Sequence, residues 1–177
     1  MQGALAALFR YLDRLQGRAP VSELADALAR AEIGCEDVAE HIRFWDRSYA
    51  RNLVRAGPWY HVLALCWKNG QRSPIHDHVG SSCAVRVLRG VATETKFQVA
   101  PSGDVYATGS RDFLAGSVCG SADTDLHQVS NLQGGGADLV TLHVYSPPLI
   151  RMGTYSLTDR SRGSELMLLE FSDAAGI

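Results

Sequence analysis

The first third of the chain carries apolar residues at the three- and four-residue spacing of amphipathic helices. A first helix is predicted by leucines that share one face and stop before Gly17 and Pro20: Leu5, Leu8, Leu12 and Leu15. Ser22 is the predicted N-cap of a second helix that ends near Gly34. Its inward face is expected to carry Leu24, Leu28 and Ala31. A third short helix is predicted from Glu36 to about Trp45, with Val38, Ile42 and Trp45 facing inward.

From Tyr60 onward, short runs rich in Val, Leu, Thr and aromatic residues alternate with turns that contain glycine. The predicted strands are 60–68, 83–89, 91–99, 104–108, 113–118, 139–146 and 165–171. Short strands separated in this way are typical of an all-β sandwich or barrel. The sequence therefore predicts a mainly β protein, with residues 1–47 as a helical layer and residues 48–177 as a β-barrel. At 177 residues, one domain is expected.

Composition narrows the classes of partner. Apolar residues make up 46% of the chain and charged residues 20%, and the net charge is −2, so neither a nucleic-acid nor a membrane partner is expected. The start of the chain does not resemble a secretory signal. The four cysteines have no CxxC spacing, which favours reduced thiols and a cytoplasmic location. Three of them are expected to be buried small residues: Cys35, Cys66 and Cys119.

The pair His76 and His78 is the first candidate for chemistry. On an extended chain, side chains alternate between the two faces, so both imidazoles lie on the same face and Asp77 turns away. Two imidazoles on one face could bind one metal ion. On its own, such a pair is a weak indication of a metal site.

The surroundings of this pair resemble the motifs of the cupin superfamily. Residues 70–90 have the spacing G-x5-H-x-H-x4-C-x6-G, with Cys83 where most cupins place a glutamate ligand. A looser second motif runs from residues 113–116 to His127 and Asn131, without the usual Pro-x-Gly element. The resemblance implies a cupin-type jelly-roll barrel in which His76, His78 and His127 bind a metal.

The missing glutamate bears on the substrate. Two histidines and one carboxylate are the common ligand set of non-haem Fe(II) oxygenases. Three neutral imidazoles leave a divalent ion uncompensated, and a thiolate substrate would supply the missing negative charge. Coordination to a metal also deprotonates a thiol. A site with three protein ligands leaves room for O2, so the pattern favours a small thiol as substrate.

From about Phe44 to Phe171 the chain resembles the cysteine dioxygenase family. Residues 49–53 are similar to the family's Y-x-R-N-L segment, whose arginine pairs with the substrate carboxylate. Cys83 stands where some members carry a cysteine that forms a thioether with a tyrosine. Residues 141–148, T-L-H-V-Y-S-P-P, are similar to the segment that supplies this tyrosine and its supporting histidine.

The resemblance implies a role for each of these side chains. Arg51 offers a planar fork of donors to a carboxylate, although in isolation it also fits a surface ion pair. Tyr145 would donate a hydrogen bond to oxygen or substrate, its alternative being a filler of the barrel. His143 shares the face of Tyr145 and would orient it, or else is a satisfied core histidine. Tyr49 would share the face of Arg51, and Cys83 would be crosslinked to Tyr145.

The predicted function is that of an Fe(II) enzyme, a monomer, that oxidises L-cysteine with O2 to cysteine sulfinic acid. Related enzymes prefer 3-mercaptopropionate, but they tend to lack both the arginine and the crosslink cysteine that this chain has. A hydrolase or isomerase with Zn or Mn would need an acid or base at the barrel mouth. A non-catalytic cupin that binds a small ligand is the remaining alternative.

Overall fold

The computed structural model describes residues 3–167. These residues form helices α1 (Ala4–Leu12) and α2 (Val21–Arg30) and two short 3₁₀ helices, Glu36–His41 and Gly134–Gly136. They also form eleven strands: β1 (Ala50–Gly57), β2 (Tyr60–Trp67), β3 (Ile75–His76), β4 (Ser82–Arg89), β5 (Val91–Val99), β6 (Val105–Leu114), β7 (Val118–Ser121), β8 (His127–Ser130), β9 (Leu139–Ser146), β10 (Arg151–Tyr155) and β11 (Arg162–Leu166). The prediction of a mainly β chain that begins with helices is confirmed.

The strands make two antiparallel sheets. The first has the order β1-β2-β9-β4-β7, and the second has the order β11-β10-β3-β8-β5-β6. One hydrophobic core contains side chains of both sheets, among them Leu65 and Val85 from the first and Val129 and Met152 from the second. The sheets therefore enclose a common interior, and the short strands β3 and β8 lie in the middle of the second sheet.

Strand β9 is buried on both of its faces. Leu142 and Val144 pack against the helical layer, whereas Thr141, His143 and Tyr145 alternate with them and point the other way. Every residue of β9 is buried. This strand therefore joins the helix-facing core to the interior that the two sheets enclose.

The helices cover the outer face of the first sheet. Four leucines of α1 and α2 are at most 1% exposed, as their spacing predicted: Leu8, Leu12, Leu24 and Leu28. Full burial of a leucine contributes roughly 1.5–3 kcal/mol. Within residues 3–167, no helix is long and apolar enough to cross a membrane.

The helix ends differ from the sequence prediction. The N-cap of α2 is Pro20, in an extended conformation, and Ser22 lies inside the helix. The third helix is a 3₁₀ helix with a kink at Val38 (φ −122°), and it ends at His41 because Ile42 is extended (ψ 94°). Beyond that end the chain is irregular, and Trp45 is 49% exposed where it was expected to face inward.

Several strands differ as well. The predicted strands 104–108 and 113–118 differ from the observed ones, which are β6 and β7. Strand β6 runs on through the exposed polar residues between the two predicted strands, because its main chain stays paired with β5 there. Strands β1, β3, β8 and β10 were not predicted as strands from the spacing of apolar residues. Of the predicted strand 165–171, residues 168–171 lie outside the described part.

A glycine makes one tight turn of the fold, and the cysteines are only in part as buried as the sequence predicted. Gly90 makes the turn between β4 and β5 at φ 86°, where a Cβ would lie 2.8 Å from the carbonyl oxygen of Asp138. All four cysteines are free thiols. Cys66 is buried as predicted, but Cys35 and Cys119 are only half-buried.

Candidate metal centre and substrate cavity

The three histidines singled out in the sequence meet at one point. β3 pairs with β8 so that His76 lies directly opposite His127, and His78 follows in the turn after β3. One ring nitrogen from each histidine lies within 4.8 Å of the others, an arrangement that could hold a metal ion. The Nε2 atoms of His78 and His127 are 3.2 Å apart. Strand pairing thus brings together ligands that are about fifty residues apart in sequence.

The protonation state of these imidazoles suits a metal. Burial and the neighbouring His127 lower the pKa of His76 to about 3, and the same causes hold the pKa of His78 well below its usual value. Both rings are therefore neutral near pH 7, which is the form that binds metal ions. Imidazole donors suit iron, among other transition metals. His78 Nδ1 is buried and has no hydrogen-bond partner among residues 3–167.

Contacts behind the other two rings fix their tautomers. His76 Nδ1 lies 3.0 Å from the carbonyl oxygen of Pro74, and a carbonyl only accepts, so Nδ1 donates. His127 Nδ1 lies 2.7 Å from Oε1 of Glu94. Burial raises the pKa of Glu94, but the hydrogen bond from His127 and nearby cations outweigh it and hold the pKa below its usual value. In both rings Nε2 is left free to bind a metal.

Asp77 lies between the two histidines in sequence but faces away from them, as predicted. Its carboxylate accepts hydrogen bonds from the backbone N–H of Gly153 at 2.9 Å and from the hydroxyl of Tyr155 at 2.8 Å. It therefore ties the turn after β3 to β10. No carboxylate ligand comes from this position.

Arg51 is a buried cation that lacks a counterion in the described chain. It lies in β1 and is 9% exposed. Its Nε and Nη2 atoms have no hydrogen-bond partner among residues 3–167, and its Cζ lies 5.8 Å from the ring centroid of Tyr145. Arg51 therefore does not form a surface ion pair, which was the alternative interpretation of this residue from the sequence. Because a buried charge without a partner is costly, the site favours an anionic ligand.

A chain of hydrogen bonds ends at the hydroxyl of Tyr145. Trp67 Nε1 donates to Thr141 Oγ1 at 3.0 Å, and this oxygen lies 2.9 Å from His143 Nε2. His143 Nδ1 lies 3.2 Å from the Tyr145 oxygen. Burial and the charge of Arg51 keep the pKa of His143 well below its usual value, so the ring is neutral.

The first bond of this chain has a fixed direction, because an indole N–H only donates. Beyond it the chain can run either way, since the hydroxyl of Thr141 can donate to Nε2 of His143 or accept from it. When Thr141 donates, the neutral ring carries its hydrogen on Nδ1 and donates it to the oxygen of Tyr145, which leaves the Tyr145 hydroxyl hydrogen to a group in the cavity.

Cys83 and Tyr145 are direct neighbours across β4 and β9. Side chains at such a pair have Cβ atoms about 4.5–5.5 Å apart. Both residues are at most 2% exposed, and burial raises the pKa of the Cys83 thiol and of the Tyr145 hydroxyl. Cys83 thus occupies the place of the usual glutamate without an ionised group.

Tyr49 stands beside Arg51 and stacks on Trp67, with ring centroids 4.1 Å apart and planes 13° from parallel. All eight candidate site residues line one tight cavity: Tyr49, Arg51, His76, His78, Cys83, His127, His143 and Tyr145.

Sequence reasoning missed two residues of the site, Trp67 and Glu94. Trp67 begins the hydrogen-bond chain, and Glu94 contacts His127. The only indication of Glu94 in the sequence was its position in a predicted strand two residues after Ala92, which places it on the same face as that buried residue.

Comparison with known proteins connects this site with one family. The sequence model of the family described as "Cysteine dioxygenase type I" matches residues 4–158. The chain is 32% identical to cysteine dioxygenase type 1 of Rattus norvegicus over 150 residues, which cover 81% of this chain and 74% of the relative. Its identity to the Homo sapiens protein of the same name is 31%, with the same coverage.

Solved structures with lower identity show the fold. A Klebsiella pneumoniae protein with a double-stranded β-helix domain matches with a TM-score of 0.53 and 17% identity, covering 73% of this chain and 87% of its own. A Bacillus halodurans protein matches with a TM-score of 0.52 and 16% identity, covering 66% and 80%. The cupin-type barrel expected from the sequence is confirmed. The family match and the identity to its members show that the chain belongs to the cysteine dioxygenase type I family.

Proposed function

We propose that this protein is a non-haem iron thiol dioxygenase that oxidises L-cysteine with O2 to cysteine sulfinic acid. The reaction balances without a further reductant, since both oxygen atoms of O2 are added to the sulfur of the thiol. The observation that carries the proposal is Arg51, a buried guanidinium with unpaired nitrogens in the same cavity as three converging imidazoles. One end of the cavity suits a carboxylate and the other suits a metal-bound thiolate.

The proposed cofactor is Fe(II), held by His76, His78 and His127. When bound, iron supplies the chemistry that deprotonates the thiol and activates O2. Pro74 and Glu94 accept hydrogen bonds from Nδ1 of His76 and His127, so Nε2 of each ring is the nitrogen that would bind the metal. Among residues 3–167 the cavity walls contribute no carboxylate, so the substrate thiolate provides negative charge.

The other residues of the cavity bind and orient the substrate. Arg51 holds its carboxylate, and Tyr49 lies beside Arg51 in the same wall. Tyr145 donates its hydroxyl hydrogen to oxygen or to substrate in the tautomer of His143 that carries its hydrogen on Nδ1 and donates to the Tyr145 oxygen. His143 orients Tyr145 and in turn is held by Thr141.

The choice of cysteine over 3-mercaptopropionate depends on the resemblance to the family. Both thiols carry the carboxylate that Arg51 would bind. In the described part of the chain, no carboxylate lines the cavity to accept a hydrogen bond from the α-amine of cysteine. A cytoplasmic location and a monomeric state stay predictions from the sequence.

The direct test is O2 consumption by iron-loaded protein with cysteine, 3-mercaptopropionate and cysteamine, with the sulfinate identified by mass spectrometry. We expect cysteine to react with the highest kcat/KM and cysteamine with the lowest, because cysteamine has no carboxylate. Arg51→Ala should raise KM for the two carboxylated thiols by roughly 10- to 100-fold, the value of a hydrogen bond to a charged group. Its effect on cysteamine should be small.

Arg151→Ala is the matched control, since Arg151 is exposed in β10 and lines neither the inner cavity nor the outer pocket that Arg51 also lines. It should leave KM within about twofold of the unchanged protein. Failure to oxidise any small thiol at full iron loading would contradict the proposed activity. An unaltered preference over cysteamine in Arg51→Ala would remove Arg51 from substrate binding.

A further inference from the structure

Glu94 lies behind the metal site, outside the cavity that holds the substrate residues. It is in β5, and its side chain is 12% exposed where that of His127 is 4% exposed. Its Oε1 atom is 2.7 Å from His127 Nδ1, which is the ring nitrogen opposite Nε2. The carboxylate therefore contacts a candidate ligand from the side away from the site.

The three candidate ligands differ in what lies behind them. His76 donates to a backbone carbonyl, His78 has no partner for Nδ1 among residues 3–167, and His127 meets a carboxylate. A carboxylate behind a ligating imidazole fixes its tautomer, holds the ring plane and makes the ring a stronger donor. Of the three, only His127 has such a carboxylate within the described residues.

We propose that Glu94 is a positioning residue that acts through His127 and gives the three-histidine site a negative charge that none of its own ligands carries. The inference rests on the proposed metal centre and deepens it. Glu94 keeps the hydrogen of His127 on Nδ1, so that Nε2 always faces His78. It also offsets part of the charge of a divalent ion, in a protein where Cys83 replaces a ligand carboxylate.

Two substitutions separate orientation from charge. Glu94→Gln keeps an oxygen that can accept from His127 Nδ1 but removes the charge. Glu94→Ala removes both the acceptor and the charge. Asp112→Asn is the control, because Asp112 lies on the neighbouring strand β6, accepts a hydrogen bond from Thr93 at the surface and contacts no histidine.

Metal affinity is the first measurement, made with Co(II) and Fe(II) in competition with a chelator of known strength. We expect Glu94→Ala to weaken binding by about 10- to 100-fold and Glu94→Gln by less, while Asp112→Asn stays within about twofold. The ligand-field spectrum of bound Co(II) should change in Glu94→Ala and be largely restored in Glu94→Gln. Thermal unfolding of the metal-free variants shows whether Glu94→Ala is folded.

The Fe(III)/Fe(II) potential is the second measurement. A carboxylate behind His127 stabilises Fe(III) relative to Fe(II). The Fe(III)/Fe(II) potential should therefore rise in Glu94→Gln, even though the hydrogen bond is kept. A residue that only packs would not produce this shift. Unchanged affinity, spectrum and potential in Glu94→Gln and folded Glu94→Ala would overturn the inference.

These readouts do not depend on turnover. If the unchanged protein oxidises no thiol but the Glu94 variants lose metal affinity, the proposed activity fails and the role of Glu94 stands. If the protein oxidises thiols but its metal affinity is unchanged in the Glu94 variants, the proposed activity stands and the role of Glu94 fails.

Discussion

Tyr145 is constrained from two directions. Nδ1 of His143 lies 3.2 Å from its oxygen, and Cys83 faces it across the strand pair. A bond between Cys83 Sγ and the ring carbon beside the hydroxyl would replace the thiol hydrogen and one ring hydrogen. The two electrons and two protons released would pass to O2, which the proposed reaction already brings to the cavity.

For this crosslink we predict a protein lighter by two hydrogen atoms in part of the molecules isolated after turnover with cysteine and O2. Peptide mapping should find the segments that contain Cys83 and Tyr145 joined, and the lighter form should lack a free Cys83 thiol. Cys83→Ser should abolish the lighter form. Substitution of the half-buried Cys119 by serine is the control and should leave it in place. Extended turnover without any lighter form would leave Cys83 as a small residue in the place of a ligand.

Residues of the site differed in how well the sequence predicted them. His76, His78 and Arg51 belong to short local motifs, and all three line the cavity. Glu94 reaches His127 only because β5 pairs with β8, and strand pairing is not encoded in a local pattern. Trp45 was assigned to a helix face, but the helix ends four residues earlier.

At the level of elements, strand β9 contributes both to the stability of the fold and to the candidate site. Leu142 packs against the helices, while Thr141 and His143 on the opposite face belong to the hydrogen-bond chain. The two faces can be changed separately, since side chains of a strand alternate. Stability and substrate binding should therefore respond to different positions of the same eight-residue segment.

Leu142→Ala should destabilise the protein by roughly 2–5 kcal/mol, because it opens a cavity at a fully buried position. Leu114→Ala, at a position that is 63% exposed, should cost under about 0.5 kcal/mol. Denaturant unfolding of the metal-free proteins measures both. KM for cysteine should not change in the fraction of Leu142→Ala that stays folded. A loss under 1 kcal/mol would show that the helices do not depend on this contact.

Elements with an apolar pattern were predicted well and polar elements were not. The predicted strand 139–146 coincides with β9, which is a continuous apolar run because both of its faces are buried. β3 has two residues and β8 has four, too few for any periodicity. The middle of β6 is exposed, so its pairing with β5 satisfies backbone groups without an apolar pattern.

At the scale of the whole molecule, the helices and the first sheet share one hydrophobic core. Leu24 and Leu28 of α2 pack in the same cluster as Tyr60, Val62 and Ala84 of the first sheet. We propose that residues 1–177 form a single domain, in which residues 1–47 are a layer that cannot fold apart from the barrel of residues 48–177.

A single domain of this size should unfold in one cooperative step. We expect the far-ultraviolet signal of secondary structure and the near-ultraviolet signal of the tryptophans to change at the same temperature. A metal ion present at 100 times its dissociation constant should add about 2.7 kcal/mol to the stability. Removal of the metal with a chelator should lower the midpoint and keep one transition. Two separate transitions in the metal-free protein would contradict the single domain.

Arg51 would recognise a part of the substrate that the proposed reaction leaves unchanged. In the proposed reaction, oxidation would alter the sulfur of cysteine, but the sulfinate would keep its carboxylate and offer it to Nε and Nη2, which have no partner among residues 3–167. The product would then compete with fresh substrate for the cavity, so the enzyme would slow as sulfinate accumulates. How fast a cell consumes the sulfinate would set the working rate of this protein as much as the supply of cysteine.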